Sequence, residues 1–203
     1  MSILRQSLFL ITLLGAGPAL ADPARYVPLD AQGKPRADDD PAPWPCVYDR
    51  RTGLTWEAKS PRPGLHYRFN TFTWFEPDPR RNGGDAGSPG QHADDTQRVP
   101  TDTHGFVRAT NAAGWCGARD WRLPGREELR SLVDYTVPYP GPTLEQTAFP
   151  HAVAQFYWSA NPKADTPDEA WGIGFSFGFD YAYFKSNRAH VRLVRNRPGP
   201  EPR

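Results

Sequence analysis

Two cysteines, Cys46 and Cys116, constrain the fold of this chain more than any other feature, because neither has another cysteine to pair with. In an oxidising compartment an isolated pair most simply forms a disulfide, and a reactive thiol or a metal site is the alternative. The sequence has no CxxC motif and no cysteine–histidine spacing of the kind that metal sites use. Closing a loop of about 70 residues would restrict the unfolded chain by roughly 4 kcal/mol. We therefore predict a disulfide that fastens the start of the domain to its helical part.

The first residues indicate that the compartment is an oxidising one. Arg5 precedes an apolar run from Leu8 to Leu14, and small residues stand at Ala19 and Ala21. This order is typical of a secretory signal peptide, here residues 1–21. A transmembrane anchor is the competing interpretation, but the apolar run is well short of the ~20 residues that cross a bilayer. We predict export, to the periplasm or as a secreted protein, with no membrane span in the mature chain.

Charge and composition narrow the class of protein further. The chain has 24 Lys and Arg against 23 Asp and Glu, so electrostatics favour neither a nucleic acid nor a membrane surface as partner. It contains 23 prolines and 18 glycines, and aromatic residues make up 13%. Such a composition is typical of a loop-rich fold with short strands. We predict an N-terminal strand and a proline- and aspartate-rich linker over 22–43, one domain over 44–196, and a flexible tail over 197–203.

Local patterns predict two helices and many short strands, which agrees with an α+β fold. Asp102 is placed to cap a helix that Gly114 ends, and a second helix follows from Arg126 to Asp134. In Leu54–Glu57, alternation predicts an apolar face and a wet face that carries Thr55 and Glu57. The polar segment 76–101 is predicted to be a flexible loop. Further strands, with turns at Asn161-Pro162 and Gly178, are predicted at Arg25–Leu29, Val47–Asp49, Tyr67–Phe75, Phe156–Ser159, Ala170–Phe175, Tyr181–Phe184 and His190–Arg195.

A set of ordered motifs resembles a known family. The motifs are Asp49-x-x-Thr52-Gly53-Leu54-Thr55-Trp56-Glu57, Asn111-Ala-x-x-x-Cys116-Gly117, Trp121-Arg-Leu-Pro124-x-x-Glu127-Glu128-Leu129, Tyr157-Trp158-Ser159 and Val191-Arg192-Leu193-Val194-Arg195. The chain is similar over about residues 44–196 to the Lcl C-terminal domain family, named for the C-terminal domain of a bacterial collagen-like adhesin. The resemblance implies a C-type-lectin-like architecture, in which two helices flank small antiparallel sheets, with long irregular loops. It also implies recognition of sulfated polysaccharide, although this chain lacks the collagen-like repeat.

The motif residues themselves are expected to be structural. Trp56, Trp121 and Trp158 are predicted to fill the core. Arg122 is expected to pair with an acidic residue of the following helix, with Glu127 and Asp134 as candidates, and Glu128 can reach back to the N–H of Gly125 at the helix start. The closing motif contributes Arg192 and Arg195 as further structural residues.

No catalytic constellation stands out. The five histidines are scattered without an HxxxH or HExxH pattern, and no GxSxG elbow is present. Within the lectin-like superfamily, formylglycine-generating oxidases need cysteines late in the chain, and none follows Cys116. The motifs that hold sugar through calcium are also missing. We predict a protein that is not an enzyme and has neither metal nor cofactor.

The candidate ligand-binding residues lie in the last third of the chain, where aromatic and basic groups alternate: Tyr181, Tyr183, Lys185, Asn187 and Arg188. If both tyrosines share one face of a strand, Ala182 and Phe184 point into the core and both phenols are free. The alternative is that these are ordinary strand residues. A second, weaker candidate is Arg80-Arg81 beside Trp74 and Phe75.

Two functional hypotheses follow. The first is an exported, non-enzymatic module that recognises a glycan, sulfated or acidic in one version, or a protein at the bacterial cell envelope. The second is an enzyme or enzyme accessory of the lectin-like superfamily, or an envelope structural protein.

Overall fold

The computed structural model describes residues 24–36, 43–90 and 99–196. The predicted signal peptide 1–21, residues 37–42 of the predicted linker and the tail 197–203 lie outside the described residues. The described part has an α+β architecture with two antiparallel sheets and two α-helices. Its elements are β1 Tyr26–Leu29, β2 Cys46–Asp49, β3 Leu54–Glu57, α1 Thr103–Ala113, α2 Arg126–Arg130, β4 Phe156–Pro162, β5 Glu169–Gly174, β6 Phe179–Phe184 and β7 Val194–Arg195.

The first sheet has the strand order β1-β2-β3-β7. The turn at Thr52-Gly53 joins β2 to β3, and Gly53 has a φ of 71°, a conformation that glycine adopts without strain. The predicted N-terminal strand is confirmed as β1, which pairs with β2 over its full length. The predicted wet face of β3 is wrong, because Thr55 and Glu57 are as buried as Leu54 and Trp56. The polar face is covered, and Glu57 becomes the centre of a buried ionic cluster.

The first helix agrees with its prediction. The Asp102 carboxylate accepts a hydrogen bond from the N–H of Gly105, and Gly114 ends the helix in the left-handed conformation. The second helix is shorter than predicted and ends at Arg130. Its extension to Asp134 is wrong because the N–H of Asp134 donates to the carbonyl of Thr143 instead of continuing the helix.

The second sheet has the order β4-β5-β6, so β5 is central and β6 is an edge strand. β4 continues through Asn161-Pro162 after an irregularity beyond Trp158, so the turn predicted there falls inside the strand end. The turn predicted at Gly178 is confirmed, and this glycine has a φ of 77°.

Two predictions for the middle of the chain are wrong: the strand over 67–75, and the flexibility of the loop that begins at residue 76. Residues 67–75 form no strand, since Phe72 bridges Ala189 while the next residue, Thr73, bridges Asp102. Residues 76–90 are ordered by internal hydrogen bonds, among them one from the N–H of Glu76 to the carbonyl of Ala86. The rest of the predicted loop, 91–98, lies outside the described residues.

The predicted disulfide is confirmed. Cys46 on β2 is bonded to Cys116, which lies in a short 3-10 turn after α1, with the Cα atoms 6.6 Å apart. Both sulfurs are buried in a core that also contains Trp121 and Trp158. Trp56 belongs to a second buried cluster, so all three motif tryptophans are core residues. No helix in the described part is long and apolar enough to span a membrane.

Candidate functional site

The exposed face of β6 carries a row of aromatic side chains. Strand alternation places Phe179, Tyr181 and Tyr183 on one face, and they are 65%, 45% and 40% exposed. The two tyrosines therefore share a face, as the sequence predicted. The accompanying prediction that Ala182 and Phe184 enter the core is wrong, since Ala182 is only half-buried and Phe184 is 50% exposed.

The opposite face of β6 is only partly covered, which explains that error. The carboxylate of Asp180, on this face, lies 3.5 Å from Arg126 and 3.8 Å from Arg130 of α2. α2 has only five residues, and Phe184 stands at the far end of the strand. The short helix thus leaves the end of this edge strand in solvent.

Two glycines of the central strand make room for the aromatic rings. A Cβ at Gly174 would lie 2.9 Å from Cε1 of Tyr181, and a Cβ at Gly172 would collide with the ring of Phe156. The Phe156 ring centroid lies 4.5 Å from that of Tyr181 and 5.4 Å from that of Tyr183. Larger residues on β5 would push these rings away from the sheet.

The rings and the neighbouring loops enclose an open cavity of about 440 Å³. We call it the aromatic trough. It is lined by Thr71, Gln155, Phe156, Gly174, Ser176, Phe177, Phe179, Tyr181, Tyr183, Arg188, Ala189 and His190. Its wall is therefore aromatic, and its polar groups are mainly uncharged.

Among the predicted binding residues, Tyr181, Tyr183 and Arg188 line the trough. The Arg188 guanidinium donates to the hydroxyl of Thr71 at 3.1 Å and to the carbonyl of the same residue. Asn187 does not line the trough, and its N–H donates to the carbonyl of Phe184 at 2.9 Å.

Lys185 must be removed from the predicted site. Its side chain is buried, and its Nζ donates to the carbonyls of Asn82 at 2.8 Å and Asp85 at 2.6 Å. The Nζ also lies 4.4 Å from the ring centroid of Trp74. Burial lowers the pKa of Lys185, and the charges of Asp85 and Asp168 oppose that shift. This lysine holds the 82–85 loop against the sheet and cannot also contact a ligand.

Several trough residues were not predicted from the sequence. Phe177 and Phe179 could have been found from the alternation Phe177-x-Phe179-x-Tyr181-x-Tyr183, because it extends the face that carries the tyrosines towards the preceding turn. His190 had no such signal. It is only 8% exposed, and burial, followed by the positive charge of Lys59, lowers its pKa to about 4. The imidazole at the base of the trough is therefore neutral at physiological pH.

The weaker candidate, Arg80-Arg81, forms ion pairs within its own loop. Arg80 lies 2.8 Å from Asp78, and Arg81 lies 3.1 Å from Glu76. Trp74 is 1% exposed and offers no ring surface beside them, and the half-buried Phe75 packs edge-on against His104, with the ring centroids 6.0 Å apart. The structure therefore does not join these residues into an aromatic and basic site.

A buried ionic cluster lies beneath β3. The Glu57 carboxylate accepts hydrogen bonds from Nζ of Lys59 at 2.7 Å, from Nδ1 of His66 at 2.8 Å and from the N–H of Leu193 at 2.9 Å. Burial alone would raise the pKa of Glu57, but the Lys59 charge and the His66 hydrogen bond outweigh it and lower the pKa to about 2. Arg192 is also fully buried and donates to the Glu57 carbonyl at 2.6 Å. These groups are enclosed and act on stability.

The remaining motif residues form local contacts. Arg122 pairs through both terminal nitrogens with Glu128 at 2.7 Å, so the prediction of an acidic partner on the following helix is confirmed, and the candidates Glu127 and Asp134 are wrong. The guanidinium of Arg122 reaches Glu128 because the Glu128 side chain turns back towards the start of the helix. There it accepts a hydrogen bond from the N–H of Gly125, as predicted. Glu127 points to solvent, and Asp134 accepts from Thr136. Arg195 pairs with Asp120 at 2.8 Å.

No group of three or more His, Cys, Asp or Glu side chains in described residues 24–36, 43–90 and 99–196 is arranged to hold a metal ion. The trough therefore offers aromatic surface, hydroxyl and amide groups and one arginine to a bound molecule.

Comparison with known proteins gives one positive result. No curated protein matches the chain. The family profile of the Lcl C-terminal domain matches residues 45–195, which is well over half of the 203 residues. The chain belongs to the Lcl C-terminal domain family.

Proposed function

We propose that the protein is an exported, non-enzymatic recognition module that binds a glycan at the bacterial cell envelope through the aromatic trough. Membership of the Lcl C-terminal domain family suggests a bacterial surface-associated domain. Export is supported by the signal-peptide pattern of residues 1–21 and agrees with the Cys46–Cys116 disulfide. The lectin-like architecture implied by the resemblance is part of the same proposal.

The single observation that carries the binding role is the composition of the trough wall. A sugar ring has apolar C–H faces and a rim of hydroxyls, so it suits aromatic side chains beside polar groups. Tyr181, Tyr183 and Phe156 supply the aromatic surface, and Thr71 and Gln155 supply hydroxyl and amide groups. Exposed apolar patches of this kind on a folded domain mark interaction sites.

The proposal is tested on a glycan array with the mature protein, residues 22–203. We expect binding to at least one glycan class, and a loss of about 2- to 10-fold in affinity for Tyr181→Ala and for Tyr183→Ala, the size of one aromatic contact. An array on which the wild-type protein binds nothing would contradict the proposal.

The matched control is Phe184→Ala. Phe184 belongs to the same strand and is about as exposed as the tyrosines, but it lies on the opposite face. Its removal should leave glycan binding unchanged. Equal losses from all three substitutions would indicate general damage to β6 and would remove the support for the trough.

A further inference from the structure

We propose that the ligand is an uncharged polysaccharide chain, and that it extends from the trough along the aromatic row Tyr139–Phe177–Phe179–Tyr181–Tyr183. This inference rests on the proposed function and names the chemistry and extent of its ligand. The row is defined by these five residues.

Four residues of the row line the trough, and the row leaves it at Tyr139, in the loop before β4. The ring centroid of Phe177 lies 4.7 Å from that of Tyr139, with 16° between the planes, and 6.4 Å from that of Phe179, with 6° between the planes. Tyr139 and Phe177 are 68% and 56% exposed. Along β6, alternate residues are about 7 Å apart, so Phe179 leads directly to Tyr181.

The spacing indicates a chain and not a single sugar. Tyr181 and Tyr183 have ring centroids 6.5 Å apart, similar to the step between Phe177 and Phe179. Five rings in succession offer far more apolar surface than one sugar ring can cover. An isolated row of this length on a soluble domain is explained by a ligand that repeats along it.

Charge indicates that the chain is neutral. Arg188 is the only Lys, Arg, Asp or Glu among the described residues that line the trough, and its guanidinium is hydrogen-bonded to Thr71. Lys185, the other predicted cation, is buried under the 82–85 loop. A sulfated polymer needs several accessible cations, and the trough wall does not present them. Hydroxyl groups find partners in Thr71, Gln155 and Ser176 without any charge.

The experiment uses the mature protein in affinity electrophoresis against two sets of soluble polymers. The neutral set is hydroxyethylcellulose, glucomannan, xylan and laminarin, and the charged set is dextran sulfate and heparin. We expect retardation by at least one neutral polymer, unchanged when salt is raised, because screening acts only on charges. Retardation by the charged set alone, lost in high salt, would overturn this inference and leave glycan recognition standing. Retardation by neither set would overturn both.

Oligomers of the retarding neutral polymer then measure the length of the site. Affinity should rise with chain length. Tyr139→Ala, outside the trough, should lower affinity for long oligomers by about 2- to 10-fold and leave that for the shortest unchanged, whereas Tyr181→Ala should weaken all of them. Phe69→Ala is the control, an exposed ring off the row. Affinity that does not depend on length, or losses confined to Tyr181→Ala, would mean a pocket ligand and would overturn the inference.

Discussion

Replacing Glu57 by Gln should destabilise the protein strongly, because it removes the only acidic group from the buried cluster. Glutamine keeps the shape of the side chain but leaves the buried charge of Lys59 without its ion-pair partner. Breaking a buried ion pair by neutralising one partner costs about 3–5 kcal/mol.

The pKa of Glu57 gives an independent magnitude. It falls from 4.5 to about 2 on folding. One pKa unit corresponds to 1.36 kcal/mol, so ionisation of this carboxylate favours the folded state by an amount on the order of 3 kcal/mol, which the lowered pKa of the buried Lys59 opposes. Because the folded-state pKa is the lower one, this stability is present above pH 4.5 and is lost as the pH falls through about 2.

Urea unfolding of wild type and Glu57→Gln at pH 7, and then between pH 5 and pH 2, measures both effects. We expect a loss of about 3 kcal/mol in the free energy of unfolding at pH 7, and a weaker pH dependence of the variant below pH 4.5. The additional substitution Lys59→Met should restore part of the loss, since it removes an uncompensated charge.

The matched control is Glu127→Gln, at a glutamate whose side chain is 70% exposed. Its effect should stay within about 0.5 kcal/mol. A Glu57→Gln variant as stable as this control, or one with the same acid unfolding profile as wild type, would refute the assigned role of the cluster.

Three further predictions concern stability. Reducing the Cys46–Cys116 disulfide should lower the melting temperature, with a loss of up to roughly 4 kcal/mol from the added freedom of the unfolded chain; an unchanged melt would contradict the role of the bond. Wild-type stability should decline as the pH is lowered from 6.5 to about 4, because the pKa of His190 is lower in the folded state and the unfolded state therefore binds the proton first. His190→Asn should remove this decline, and the free energy of unfolding measured across that pH range tests it. Lys185→Met should cost about 1–3 kcal/mol by leaving two buried carbonyls without a donor, and chemical denaturation showing no loss would argue against its anchoring role.

The elements that the sequence predicted well are those whose signals are local. Asp102 and Gly114 mark both ends of α1 by their own side-chain and backbone chemistry. The β2–β3 hairpin needs only Gly53 and the alternation around it. The segment 67–75 shows the opposite case, because its alternating pattern is met by a different partner at each position, Ala189 for Phe72 and Asp102 for Thr73.

The residues of the candidate site show the same contrast between local signals and tertiary contacts. Tyr181 and Tyr183 share a face because strand alternation is a local property. Lys185 continues that alternation but is buried, since its partners are carbonyls about 100 residues earlier in the chain. Glu57 is a second example, because its buried carboxylate accepts a hydrogen bond from the N–H of Leu193, 136 residues later in the chain. Burial of a charge is decided by tertiary contacts that no local pattern contains.

The central claim, that the aromatic trough holds the ligand, is tested most directly by 19F NMR of the mature protein with fluorotyrosine at its eight tyrosines. Hydroxyethylcellulose and the other neutral polymers are titrated in turn, and resonances are assigned from Tyr→Phe variants. We expect the signals of Tyr181 and Tyr183 to shift or broaden with a retained polymer, while those of Tyr26 and Tyr157, buried in the core, stay in place. Signals of Tyr181 and Tyr183 that do not respond while a polymer is bound would contradict it.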